Sequence, residues 1–149
     1  MDPRPPRLTA IPLAAWERDG VMAALRKANL PADDVALPDR HFWRFETLNP
    51  TPVGFGGLEI HGHDALLRSV VTLPPLRRRG FGKAMVAALE DEARIAGCRA
   101  IFLVPASFAA VFERLGYTVC APETVPQAIR DTSEFATRGA ANLMTKPLP

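Results

Sequence analysis

Reactive side chains are scarce in this 149-residue chain: two cysteines, three histidines, one tyrosine and two tryptophans. Cys98 and Cys120 stand alone, without metal-ligand or C-x-x-C spacing. That argues against a zinc ribbon or a disulfide scaffold and reads as free buried thiols in a reducing compartment. His41, His61 and His63 form no HExxH pattern. His61 and His63 would share one face of a strand, which leaves open a metal pair or an exposed strand end. No apolar run is long enough to span a bilayer, and the proline-rich start, MDPRPPR, has no apolar stretch of the signal-peptide kind. A net charge of +2 is too small to imply a nucleic-acid partner. What is present is a composition 48% hydrophobic and 23% charged, enough for one core at this length. The expectation is a single cytoplasmic domain over residues 1–149, with no membrane and no nucleic-acid partner.

Leu8–Leu13 reads as a first strand, and Trp16–Ala28 as a helix ended by Asn29 and Pro31. His41–Leu48 and Val53–Ile60 read as strands joined by the turn Asn49-Pro50-Thr51-Pro52. Further strands are expected at Leu66–Leu73, Ala100–Val104, Thr118–Cys120 and Ala140–Thr145. The main helix is Gly80–Ala96, with Phe81, Met85, Ala88 and Leu89 as core candidates on the face they share with Glu92. Phe108, Val111, Phe112 and Leu115 recur at helical spacing, and Gly116 suits the end of that helix. Thr124-Val125-Pro126-Gln127 fits a capping box opening a helix to about Ala136. The mixed order of elements argues an α/β or α+β fold.

The most informative unit is Leu66–Ala96, where an apolar strand runs into Arg77-Arg78-Arg79-Gly80-Phe81-Gly82-Lys83 and then directly into a helix. Unpaired amides of a first helical turn, together with the helix dipole, favour an anion. Gly80 and Gly82 let the backbone approach it closely. The alternative is a solvated basic loop at a strand–helix junction. The turn fits Arg-x-x-Gly-x-Gly and matches neither of the two common phosphate loops. In this setting it resembles motif A of the GCN5-related N-acetyltransferases. The stretch SFAAVFERLGY, about 30 residues on, resembles motif B of the same superfamily. Ala65–Ser69 and Glu123–Phe135 (ETVPQAIRDTSEF) resemble a subgroup of arsenic-resistance N-acetyltransferases. The chain departs from that subgroup at Thr137–Thr145, where its members carry cysteines.

The resemblance implies a mixed, mostly antiparallel sheet, flanked by helices and splayed at its centre between the Leu66–Leu73 and Ala100–Val104 strands. It implies acetyl-CoA as co-substrate. Val70, Val71 and Thr72 would pair with the pantetheine arm. The amides of Arg78, Arg79, Gly80, Phe81, Gly82 and Lys83 would hold the pyrophosphate. Phe112 falls where the superfamily usually places a proton-donating tyrosine, at the thiol end of the cofactor, and Pro105 falls where an asparagine is frequent. Tyr117 aligns with a core phenylalanine.

For the base, Glu59 and His61 are the candidates. Glu59 sits near the end of the strand before motif A, where a surface glutamate is the competing reading. His61 brings an imidazole, the side-chain type most often used as a general base. Arg68 either binds a substrate carboxylate or is an ordinary exposed strand arginine. The expected activity is acetylation of a small-molecule amine, such as an amino-acid-like toxicant. Acetylation of a peptide amine, or acyl-CoA sensing without catalysis, are the alternatives. A homodimer is the assembly considered.

Overall fold

Seven consecutive residues, Val53–Glu59, are buried, so the strand that contains them is covered on both faces and lies inside a sheet. The computed structural model describes residues 7–27, 40–72, 81–105, 108–131 and 143–149. Within these, seven strands form one sheet: β1 (Leu8–Pro12), β2 (Arg40–Thr47), β3 (Pro52–His61), β4 (Asp64–Thr72), β5 (Ala100–Leu103), β6 (Thr118–Val119) and β7 (Met144–Pro147). The spatial order is β1-β2-β3-β4-β5-β7-β6. Every pairing is antiparallel except β4 with β5. The helices are α1 (Arg18–Lys27), α2 (Phe81–Ile95), α3 (Ala109–Arg114) and α4 (Gln127–Arg130). The fold is the mixed α+β class expected.

The β2–β3 turn forms as Asn49-Pro50-Thr51-Pro52 predicts, with Thr47 N–H donating to Thr51 O at 3.0 Å. The β3–β4 hairpin turns through Gly62, whose φ of +64° suits a residue without a Cβ. The parallel β4–β5 connection is made by α2, as a parallel pair requires.

One sheet face packs against α2. Met85 and Leu89 are fully buried with Phe45, Val53, Leu58, Ile101 and Leu103. Removing each such side chain from water contributes about 1.5–3 kcal/mol. The other face carries two apolar clusters. Val21 and Leu25 of α1 cover Phe42 and Phe55, and Val125 and Ile129 cover Leu66 and Phe102. Glu17, just before α1, accepts from Arg44 of β2 and from Ala14 N–H, which ties the start of that helix to the sheet.

The helix expected from Phe108, Val111, Phe112 and Leu115 forms as α3, and its apolar stripe is covered only in part: Phe108 is 60% exposed and Val111 37%, while Phe112 and Leu115 pack inward. Helix α3 has only six residues, too few to bury a full stripe. Two expectations are corrected. The capping box does not form. Thr124 Oγ1 donates to Ala121 O at 2.7 Å instead, and Pro126 takes the N-cap position with no side-chain bond. Gln127 Nε2 turns to Asp131 Oδ1 at 2.7 Å. The last strand spans Met144–Pro147 and ends two residues later than read, because its register is set by pairing with β5. Residues 28–39, 73–80 and 132–142 hold Pro74-Pro75, Arg77–Gly80 and part of Thr137–Thr145, which lie outside the described residues.

Gly57 marks a close approach. A Cβ there would sit 2.6 Å from the Phe42 ring and 3.0 Å from His41 O. Phe42 is itself buried and cannot swing clear. Gly57→Ala is expected to cost about 1–3 kcal/mol, the usual penalty of overpacking, read as a lower urea midpoint. An unchanged midpoint would show that Phe42 yields.

Candidate active site

The β4–β5 ladder lasts three residues: Asp64 opposite Ala100, Ala65 opposite Ile101, Leu66 opposite Phe102. Beyond this vertex β4 runs on to Thr72 with no strand on that side among the described residues. A bulge lies in the same stretch, where Ser69 and Val70 oppose the single Gly56 of β3. The gap therefore widens toward the C-terminal end of β4, which leads to α2. At the first turn of α2, Lys83 is exposed. A Cβ on Gly82 would meet nothing within 4 Å. These are the features an anion cradle needs at a helix N-terminus. Val70, Val71 and Thr72 line the wide part of the gap, and Phe81, Gly82 and Lys83 begin the helix beyond it. Arg78, Arg79 and Gly80 lie outside the described residues.

Arg40, Glu59, Leu66, Phe102 and Thr145 stand in register across five strands, one row through the vertex. Glu59 is fully buried, which corrects the reading of a surface glutamate. Its Oε2 accepts from Arg68 Nη1 at 3.2 Å. Its Oε1 lies 3.3 Å from Arg40 Nη2 and 3.1 Å from His61 Nε2. Arg68 is also buried, not exposed, and its guanidinium lies 5.8 Å from the centroid of the Phe42 ring. Gly57 leaves the room for that ring, and Gly57 is the residue opposite Arg68 in the ladder. A carboxylate only accepts, so the hydrogen in the His61–Glu59 contact sits on Nε2. The two candidate bases thus form one hydrogen-bonded pair, with two arginines fixing the carboxylate.

His61 and His63 do not make a metal pair. His63 falls in the turn, 3.3 Å from Gly97 O through Nδ1, while His61 turns to Glu59. No cluster of three or more metal-ligating side chains occurs among the described residues. Cys98 and Cys120 are free, and burial pushes both thiols above their usual range. His41 and Trp43 face the same side of β2, as the alternation predicts, with ring centroids 6.3 Å apart.

A second polar group lies on the α2 side of the sheet. Tyr117 is buried and donates to Glu90 Oε2 at 2.8 Å. Lys146 Nζ of β7 lies 3.2 Å from both Glu90 oxygens and donates to Leu115 O at 2.9 Å. Phe112 meets the Tyr117 ring edge-on, centroids 5.6 Å apart. Tyr117 is therefore a core residue, as its alignment implies. Glu90 and Lys146 carry no signal in the sequence beyond the position of Glu90 next to Leu89 of the apolar stripe.

The profile of the Acetyltransferase (GNAT) family matches residues 9–117. The uncharacterised protein YyaT of Bacillus subtilis is 35% identical over 79 residues, which is 52% of this chain and 53% of that protein's length. Among solved structures, a GNAT-family acetyltransferase from Staphylococcus aureus superposes with a TM-score of 0.70 at 12% identity, covering 95% of this chain and 99% of its own. N-acetylglutamate synthase from Neisseria gonorrhoeae, in complex with coenzyme A and L-arginine, superposes with a TM-score of 0.75 at 14% identity, covering 96% of this chain and 34% of that one.

Burial, the Glu90 charge and the bond to Glu90 together raise the Tyr117 phenol above its ordinary value near 10. The unfolded chain then loses this proton at lower pH than the folded one. Stability should fall as pH rises past about 10, by up to about 1.4 kcal/mol per pH unit from this group. Urea titrations of wild type and Tyr117→Phe at about pH 9 and 11 should show a steeper loss for wild type. Parallel losses would mean that the phenol is not the titrating group.

Proposed function

Because the chain belongs to the Acetyltransferase (GNAT) family by a profile match over residues 9–117, we propose that it moves the acetyl group of acetyl-CoA to the amine of a small molecule. The observation that carries this reading is the three-residue β4–β5 ladder, beyond which β4 continues to Thr72 ahead of α2, with Glu59 in register with the last paired residue, Leu66. The backbone of Val70, Val71 and Thr72 would pair with the pantetheine amides. The amides of Arg78, Arg79, Gly80, Phe81, Gly82 and Lys83 would hold the pyrophosphate, and Phe112 would border the thiol. The coenzyme A bound to the gonococcal synthase supports the same co-substrate here.

In the reaction, a neutral amine attacks the thioester carbon, the C–S bond breaks, and CoA leaves as thiolate. A backbone amide near Val71 polarises the carbonyl. Glu59 and His61 act together: Glu59 holds the imidazole through Nε2–H, and the ring takes the amine proton directly or through water. A thiol with an ordinary pKa near 8.5 departs without a proton donor, which suits a chain with phenylalanine at position 112. The likeness of Glu123–Phe135 to the arsenic-resistance subgroup supports an amino-acid-like toxicant as acceptor, and the free thiols of Cys98 and Cys120 support a cytoplasmic setting. No helix among the described residues is long and apolar enough to cross a membrane.

A thiol-release assay with acetyl-CoA should give turnover with small amines drawn from amino acids, phosphinic and arsenical analogues, and polyamines. Turnover on peptides alone would favour the peptide reading, and CoA binding without turnover on any amine would favour a sensor. Glu59→Gln should lower kcat by about 10²-fold or more while CoA still binds; unchanged turnover would remove Glu59 from this role. Gly82→Trp points into open space, so it should leave stability intact and abolish CoA binding. Retained binding would displace the pyrophosphate from this turn.

A further inference from the structure

β4 and β5 run in the same direction, so the helices that follow them, α2 and α3, both begin at the end of the sheet where the two strands part. Both helices pack on one sheet face. Ala109, Phe112 and Leu115 lie against the core that holds Met85 and Leu89 of α2. The two helices therefore flank the gap, and their separation sets its width on that face. Apolar packing holds α3 only lightly: none of its six residues is buried, and Phe108 and Val111 are exposed.

Lys146 supplies a polar tie between the two helices. Its ammonium donates to Leu115 O, the C-cap carbonyl of α3, at 2.9 Å. It also lies 3.2 Å from both carboxylate oxygens of Glu90 in α2. These contacts occupy the three donors that a lysine carries. Tyr117 donates to the same Glu90 at 2.8 Å, and the ammonium stands 5.6 Å from the centroid of its ring. Gly116, between Leu115 and Tyr117, turns the chain at φ +97°, and a Cβ there would come within 3.3 Å of Lys146 Cε.

We propose that Lys146 is a positioning residue for the co-substrate: it braces α3 against α2 and holds the gap at the width that CoA needs. The inference rests on the reading that CoA lies in this gap. Phe112 borders the thiol in that reading and meets the Tyr117 ring edge-on. The brace thus reaches the cofactor through Tyr117 and Phe112. Without the ammonium, the buried Glu90 carboxylate keeps the Tyr117 hydroxyl but no cation, and Leu115 O loses its donor. An uncompensated buried charge is costly, and movement of α3 that admits water relieves it. A gap that holds the binding spacing only part of the time binds CoA more weakly in proportion to that fraction. By reciprocity, bound CoA restores the spacing.

The test reads CoA binding and needs no acceptor. Calorimetry would give the dissociation constant of CoA for wild type, Lys146→Met, Glu90→Gln, Tyr117→Phe and Val21→Ala, at a temperature where urea titration shows each folded. Val21→Ala truncates the core on the opposite sheet face, so it lowers stability without touching the brace. Lys146→Met should bind CoA about tenfold more weakly than wild type, the two isosteric variants about threefold more weakly, and Val21→Ala within about twofold of wild type. Amide exchange at residues 112–117 should quicken in Lys146→Met and slow again when CoA is added. Wild-type affinity in folded Lys146→Met would overturn the brace and leave the co-substrate in place. So would an equal loss in Val21→Ala, which would trace the effect to stability alone. Should Lys146→Met fail to fold, wild-type affinity in both isosteric variants would overturn the brace. Failure of wild type to bind CoA would overturn the co-substrate reading, and the brace with it.

Discussion

Two parallel strands that pair for three residues and then part are the constraint on which the rest of this structure depends. Backbone N–H and C=O groups in a protein interior need partners. β4 is flanked by a strand along its β3 side, and residues Ala65–Arg68 are buried. Among the described residues, its other side has a strand only as far as Leu66. A ligand arm built from amide units, as proposed above, would be chemically suited to pair with the backbone beyond that point. The bulge at Ser69–Val70 raises the local twist of β4 where the separation begins. Leu66 and Phe102, the last paired residues, are buried together with Val125, Ile129 and Leu143.

The ionic group around Glu59 is the second demand on the sheet. Desolvating a carboxylate and two guanidiniums costs several kcal/mol per ion, so the cluster is a poor source of stability. Its geometry offsets part of that cost, because both carboxylate oxygens accept charged donors and Arg68 gains the face of Phe42. Gly57 belongs to the same arrangement, since any Cβ there would lift Phe42 off the strand. What such a cluster provides is orientation. Glu59 stands one strand from the vertex, in register with Leu66, and its carboxylate determines where the His61 ring points.

Elements whose signals are local could be read from the sequence. The β2–β3 turn follows from two prolines around a threonine, and the core face of α2 from Met85 and Leu89 at helical spacing. What stayed illegible depends on distant partners. A 3.6-residue stripe reports that a helix has an apolar face, and α3 forms there, but not that anything covers it, and Phe108 and Val111 stay exposed. Thr124 fits a capping box, yet its hydroxyl finds a closer carbonyl in its own turn. Glu59 looks like a strand-end glutamate until β2 and β4 bring an arginine to each of its oxygens. Glu90, on α2, meets Lys146 only because β7 inserts between β5 and β6. A motif marks the turn into α2 in the sequence, whereas the group around Glu59 is built by tertiary pairing and has no local signal.

The placement of the single tyrosine bears on the chemistry. Its hydroxyl donates to Glu90, its ring packs against Phe112, and its proton is held more tightly than in water. A phenol so engaged stabilises the junction of α2, α3 and β7 and is poorly placed to give its proton to a leaving group. With phenylalanine at position 112, no other tyrosine exists to do so. Without a tyrosine donor, the intrinsic acidity of the CoA thiol and the alignment of the reactants carry more of the chemistry. A carboxylate held by two arginines, with the His61 ring hydrogen-bonded to it, is a fixed element of that alignment.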